Sequence, residues 1–445
     1  MKAFDVFKLK GQEGALVMAL GFALMVNALA MQVSGIVAIS GFLEATSINQ
    51  ILIVMIVDYA LIMLVGSLQS VIIDKFNRVL LIQWVTLIFS FAFIVLRMMF
   101  LVKAPNWLNY SVMYLLSEQQ FVLFPLIFWV LANDIFNIAQ AKRLFPLISG
   151  WNFIGKLLGI GIAAISPALF LRLEIKPEEI LLLNVAVYLI AFMVLFTALR
   201  SVEVRKTVQK SETLKETLTE GWDFVRNVPA FKYLMFAILA LTVADTIIEF
   251  RFLVVTDSVF VTQTSYQTFF SIYRLALTLM ALVVQAFVTG YLIKQMQIKN
   301  TFYFFPIVAF AGAVGMLLVP GVGMAVATMA SVKLIRDTIH ESGRASFLGL
   351  VPEERRGRVS TMFETYFNSL GTILGASLAL LIVTLGLRAN LDYHLYYLGL
   401  AAAAGLFALW AAFSLARTYD TSMLNWRLKR RQRHTNASLL DKLTD

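Results

Sequence analysis

The chain has 445 residues, 60% hydrophobic and only 14% charged, whereas a soluble domain is nearer half apolar and a quarter charged. That balance excludes a water-soluble globular protein, and the absence of cysteine excludes disulfides, thiol catalysis and thiolate-held metals. The formal charge of +10 sits mostly in short loops and a basic C-terminal segment beside apolar runs, a placement that suits anionic lipid headgroups and not nucleic acid. With only His340, His394 and His434 available, a histidine-rich metal site is not expected, and no cofactor is.

A membrane span needs about 20 mostly apolar residues to cross roughly 30 Å of hydrocarbon. Such runs recur at 14–43, 48–73, 79–102, 110–135, 146–171 and 180–199. The first of these follows Lys2, Lys8 and Lys10 and could be read as a signal peptide, but it is uncharged from Gly14 to Leu43, too long for one. Six more runs follow at 231–256, 267–293, 301–319, 322–345, 359–387 and 393–415. The expected fold is therefore all-α, with twelve transmembrane helices in two pseudo-symmetric six-helix halves.

The expected organisation is an N-terminal half at 1–200, a linker at 201–229, a C-terminal half at 230–417 and a basic tail at 418–445. Most of the 37 Lys and Arg fall in the N-terminus, the even-to-odd loops and the tail, which predicts an inner-membrane protein with both termini cytoplasmic. In the linker, Ser211 is placed to cap a helix whose Leu214, Leu218, Trp222 and Val225 share one face. That pattern predicts an amphipathic helix on the cytoplasmic membrane surface, with a plain solvated linker as the other reading.

Two six-span halves with a cytoplasmic linker resemble the major facilitator superfamily. The segment Ser70-Val-Ile-Ile-Asp74-Lys75-Phe-Asn77-Arg78 resembles that superfamily's loop between spans two and three, with Ser70 and Asn77 in place of its two glycines. Asn tolerates the left-handed turn conformation that a glycine would supply. The resemblance implies a gating loop carried by Asp74, Lys75 and Arg78. Gly290-Tyr-Leu-Ile-Lys294 stands at the corresponding place in the second half, without the Asp.

A narrower resemblance covers about a third of the chain in pieces. Phe128-Trp129-Val-Leu-Ala-Asn133-Asp-Ile-Phe136, Ala141-Lys142-Arg143-Leu-Phe-Pro146-Leu-Ile-Ser-Gly150 and Gly155-Lys-Leu-Leu-Gly159 resemble the junction of spans four and five in the ATP/ADP translocase (nucleotide transporter) family and its bacterial relatives. Asp245-Thr-Ile-Ile-Glu249-Phe-Arg-Phe and Pro352-Glu-Glu-Arg355-Arg-Gly-Arg358 resemble its segments too. The substrate class implied is a nucleotide or phosphorylated metabolite.

An ionisable side chain at mid-membrane costs at least about 2.5 kcal/mol on the insertion scale, so it normally faces protein or a wet cavity. In the tenth span Lys333, Arg336, Asp337, His340, Glu341 and Arg344 recur on one helical stripe. The superfamily resemblance puts spans one, four, seven and ten around the cavity. The stripe then reads a substrate's charge, or it is a self-satisfied ladder in which Lys333 pairs with Asp337. In the seventh span Asp245 and Glu249 lie one turn apart and could share a coupling proton or cation, while a structural pairing fits equally; Arg251 points elsewhere.

Lys156 and Asp58 are near mid-depth on spans five and two, where Lys156 meets an anionic substrate or neutralises a neighbour. Arg97 and Glu118 reach similar depth across a hairpin and are expected to pair. Gly150, Gly155, Gly159 and Gly161, with Gly371 and Gly375, supply small faces for helix packing, and no Gly-rich phosphate loop is present.

The expected function is secondary transport of a small anionic solute by alternating access, with Lys333, Arg336, Asp337, Lys156 and Arg251 on the substrate and Asp245 and Glu249 on the coupling ion. Expected partners are that solute, a coupling proton or cation, and membrane lipids. A lipid or drug exporter of another facilitator branch is the alternative within the class. A polytopic enzyme built on His340, Asp337 and Glu341, or a non-transporting sensor or scaffold, are the alternatives outside it.

Overall fold

The computed structural model describes residues 13–73, 76–200, 202, 214–351 and 353–444, and every regular element among them is helical. Six long helices come first: α1 (Glu13–Ala45), α2 (Ile51–Ile73), α3 (Arg78–Leu101), α4 (Asn106–Ile135), α5 (Ile138–Leu173) and α6 (Ile180–Ala198). A shorter α7 (Leu214–Asn227) leads into α8 (Pro229–Asp257), α9 (Gln263–Met296), α10 (Ile298–Leu318), α11 (322–348), α12 (Arg355–Ala389) and α13 (Tyr393–Thr444). Among the described residues, ten helices are long and apolar enough to cross a membrane. The two long helices α8 and α11, which carry several ionisable residues, are not in that set, so ten of the twelve spans expected from sequence have a counterpart in it.

Local sequence fixes the helix ends. Asn77 caps α3 by accepting the Val79 N–H at 2.9 Å. It does so at φ −64° and ψ 120°, so it serves the loop as a cap in extended backbone and not through the left-handed conformation. Asn137 and Gln140 form a reciprocal capping box at the start of α5, with bonds of 2.9 and 3.0 Å. Asp74 and Lys75 lie outside the described residues, as does Ser211.

The chain separates into two compact units. The first comprises Met1–Leu214 with Thr256–Leu279, and the second Lys215–Val255 with Met280–Asp445. In the first, α1 is buried along nearly its whole length and packs on α4, α5 and α6. Gly155 and Gly159 bring the α5 backbone against Met25 and Leu29 of α1, where a Cβ would collide with the carbonyl oxygens. Gly150 and Gly161 face open space, so the expected small-residue face narrows to two of its four glycines.

In the second unit an aromatic core gathers Phe231, Phe302, Phe347 and Phe363 from α8, α10, α11 and α12. Gly371 and Gly375 let α12 approach Thr242 and Val243 of α8. The α7 helix docks on this core through Phe224 and Val225, with Gly221 against Met362 and Glu220 paired with Arg358. Leu218 and Val225 keep their expected places on the core, whereas Trp222, expected on the same face, is half exposed and Phe224 is buried. Outward-facing Ile88, Phe91, Met193, Phe287 and Leu385 give both units the apolar exterior that lipid contact requires.

Candidate functional site

Three helices of the second unit carry a wide π turn: Val284–Thr289 in α9, Arg336–His340 in α11 and Met362–Phe367 in α12. Each wide turn adds a residue and rotates the remainder of its helix, a feature that recurs at functional sites. In α11 it splits the expected stripe in two.

Lys333 and Arg336 turn toward α8. The Lys333 ammonium lies 2.7 Å from Glu249 Oε2 and 3.6 Å from Asp245 Oδ2. The Arg336 Nη1 donates to Asp245 Oδ2 at 2.6 Å, and its Nε donates to Asp337 Oδ1 at 2.9 Å. Lys333 therefore reaches across to the neighbouring helix and does not pair with Asp337, as a ladder along α11 would require. Three of the five residues expected to bind substrate, Lys333, Arg336 and Asp337, form one cluster with the two expected to couple an ion.

The cluster is graded in exposure. The Lys333 and Asp245 side chains are 12% and 10% accessible, Glu249 and Arg336 are 29% and 35%, and Asp337 is 51%. Arg336 and Asp337 are the most accessible members of the cluster. Asp245 Oδ1 is buried without a hydrogen-bond partner, an acceptor left over beside two cations.

Past the wide turn the geometry changes. His340 is buried and sits edge-on to Phe302 and Phe305, with centroid separations of 5.7 and 5.1 Å. It points into the aromatic core, which removes it from Asp337 and Glu341 and from the acid–base trio an enzyme would need. Arg344 pairs with Glu341 at 2.7 Å and reaches Glu364 of α12 at 3.7 Å.

The other candidates are placed separately. The Arg251 Nη1 donates to the Tyr397 hydroxyl at 3.2 Å. Lys156 is partly buried on α5 in the first unit. Arg78 pairs with Asp134 at the end of α4, both nearly buried, so the loop between α2 and α3 is tied to the next hairpin. Arg97 pairs with Glu179, just before α6, and not with Glu118: matching depths across one hairpin leaves out the third helix packed on α3.

A search confined to ionisable side chains passes over an uncharged network in the first unit. Tyr188 Oη donates to Asn27 Oδ1 at 2.8 Å and accepts from Gln120 Nε2 at 2.6 Å. Ser34 Oγ donates to Gln120 Oε1 at 3.0 Å, and Asn27 Nδ2 to the Gln120 carbonyl at 3.2 Å. All four residues are buried, and they tie α1, α4 and α6 together. Amides inside apolar runs are the sequence signal for it. Within the same unit Arg274 donates to Gln32 Oε1 at 3.0 Å and stands 4.8 Å over the Phe270 ring.

No protein-family model and no curated protein matches the chain. Solved structures do. A nucleoside transporter, NupG, superimposes with a TM-score of 0.61 at 15% identity, covering 91% of this chain and 100% of that one. A bacterial homologue of the iron transporter ferroportin, in an inward-facing state, gives 0.61 at 15% identity over 90% and 98%. An auto-inhibited peptide transporter of the POT family gives 0.60 at 11% identity over 88% and 96%. At such identity the likeness is one of fold, and together with the apolar helices it makes this chain a multi-pass membrane protein with the fold that these structures share.

Proposed function

We propose that the chain is a secondary transporter that moves a small anionic solute, a nucleotide or related phosphorylated metabolite, by alternating access in the cell inner membrane. Both termini are cytoplasmic and α8 and α11 span with the other ten helices. The observation that carries the reading is the cluster on those two helices, where Lys333 and Arg336 are held by Asp245, Glu249 and Asp337. A buried ion-pair cluster adds little net stability over an apolar one, so its upkeep inside a membrane protein calls for another reason.

The cluster suits coupled binding. An anionic group competes with Asp245 and Glu249 for Lys333 and Arg336, and a proton taken by either carboxylate frees a cation for the solute. Solute and proton then favour each other's binding, and the linkage is reciprocal. Lys156 of the first unit and Arg251 of the second are assigned to the solute, and the loop of Asp74, Lys75 and Arg78 to gating. The nucleotide class rests on the sequence resemblance to ATP/ADP translocases, and the nucleoside transporter's name is compatible with it.

The test is flux. Candidate nucleotides and sugar phosphates are first screened for stabilisation of the purified protein, then followed as radiolabelled solutes in proteoliposomes. Asp245→Asn or Glu249→Gln should reduce proton-driven uptake more than solute exchange, since exchange does not require the empty carrier to return. Equal loss of both activities, with normal expression, would remove the coupling role. A second reading is favoured by the formal excess of three carboxylates over two cations: a cationic solute held by Glu249 and Asp337. It predicts that Glu249→Gln abolishes binding while Lys333→Gln spares it.

A further inference from the structure

The cluster on α8 and α11 gives every carboxylate a basic partner. Asp58, on α2 of the first unit, has a different environment. Its side chain is completely buried, and neither carboxyl oxygen has a hydrogen-bond partner. Its polar neighbours are Glu118 and Gln119 on α4, the helix that packs along α2. Both amide atoms of Gln119 are also buried without partners. Four buried polar atoms with unused hydrogen-bonding capacity therefore lie on two neighbouring side chains of adjacent helices.

A negative charge on Asp58 would have lost its water, gained no cation and met a second carboxylate, Glu118. Such a charge is unfavourable on all three counts. One proton removes the problem, because it converts the carboxylate to a neutral acid without any further ligand. The neighbouring amide can serve either state: Gln119 Oε1 accepts the acid O–H, and Gln119 Nε2 donates to the carboxylate when the proton has left. The shift between them needs only side-chain rotation.

We propose that Asp58 is a proton-binding site, taking one proton from the aqueous phase as a carboxylate and returning it as an acid, with Gln119 as its hydrogen-bond partner. Its use in transport rests on the transporter reading above, where it would supply a proton independently of Asp245 and Glu249. The site itself does not rest on that reading. It is also distinct from a metal site, since no group of three or more acidic or histidine side chains able to hold a metal occurs among the described residues.

The experiment uses the full-length protein in liposomes and needs no solute. Infrared spectra near neutral pH should show the carbonyl band of a protonated carboxyl, shifted by D2O, unchanged when sodium replaces choline, and absent in Asp58→Asn. Asp245→Asn should keep the band, which separates this site from the α8 and α11 cluster. If Asp58→Asn does not yield monodisperse protein, Asp58→Glu should move the band without removing it. A band identical in wild type and Asp58→Asn overturns the proposal, and so does a band abolished by sodium at fixed pH, which would make the site a sodium site. Loss of the band in Asp58→Asn supports it whether or not anion flux is found.

Discussion

Replacing Lys333 by Gln removes the cation shared by Asp245 and Glu249. At the observed 2.7 and 3.6 Å, and an effective dielectric of about 20, the gross attractions are roughly 6 and 5 kcal/mol, most of which offsets the cost of desolvation. Removing one partner of a buried pair typically costs about 3–5 kcal/mol. Glu249 is 29% accessible and water recovers part of that, so we expect about 3 kcal/mol. For a unit of this size that corresponds to a fall in Tm of roughly 6–12 °C, read by thermal unfolding of the detergent-purified protein.

The identity of the partner is the sharper test. Adding Glu249→Gln to Lys333→Gln should restore about half the loss, whereas adding Asp337→Asn should restore nothing, because Asp337 is held by Arg336. Rescue by Asp337→Asn equal to that by Glu249→Gln would refute the cross-helix assignment. It would return Lys333 to a ladder along its own helix.

Arg78→Gln and Asp134→Asn should each lower stability by about 1–3 kcal/mol and their effects should not add, measured by a double-mutant cycle on Tm. Gly155→Leu or Gly159→Leu should abolish monodisperse elution in size-exclusion chromatography, since the new side chain meets the α1 backbone, while Gly150→Ala and Gly161→Ala should elute as wild type. Because the chain has no cysteine, single-cysteine variants report topology without background. Asn106→Cys and Ala389→Cys should react with an impermeant thiol reagent in intact cells, and Gln209→Cys and Ser438→Cys should react only after permeabilisation.

Much of the fold is legible because twenty apolar residues in a row have few uses other than a span. The ionisable residues stand out for the same reason, and the one-turn spacing of Asp245 and Glu249 correctly places both toward one neighbour. Phase is what the sequence hides. Arg336–His340 looks like any helical pentapeptide, yet its wide turn separates Lys333 and Arg336, which face α8, from His340, which enters the aromatic core. Pairings between non-consecutive helices are equally hidden: nothing near Arg97 points to Glu179, eighty-two positions away. The burial of a single side chain also escapes, as in α7, where Phe224 is buried beside Val225 and Trp222 is left half exposed.

The wide turn in α11 also bears on descent. A helix that carries five residues where an ordinary turn holds about four has accepted an extra residue without lengthening its path across the bilayer. A relative in which one residue is deleted here would keep a regular helix, with its counterpart of Arg344 one place earlier relative to Lys333. Alignments that forbid gaps inside spans would then match the wrong charges on one side of the turn. Comparing the residues before and after Arg336–His340 as separate blocks is the way to recognise this cluster in distant sequences.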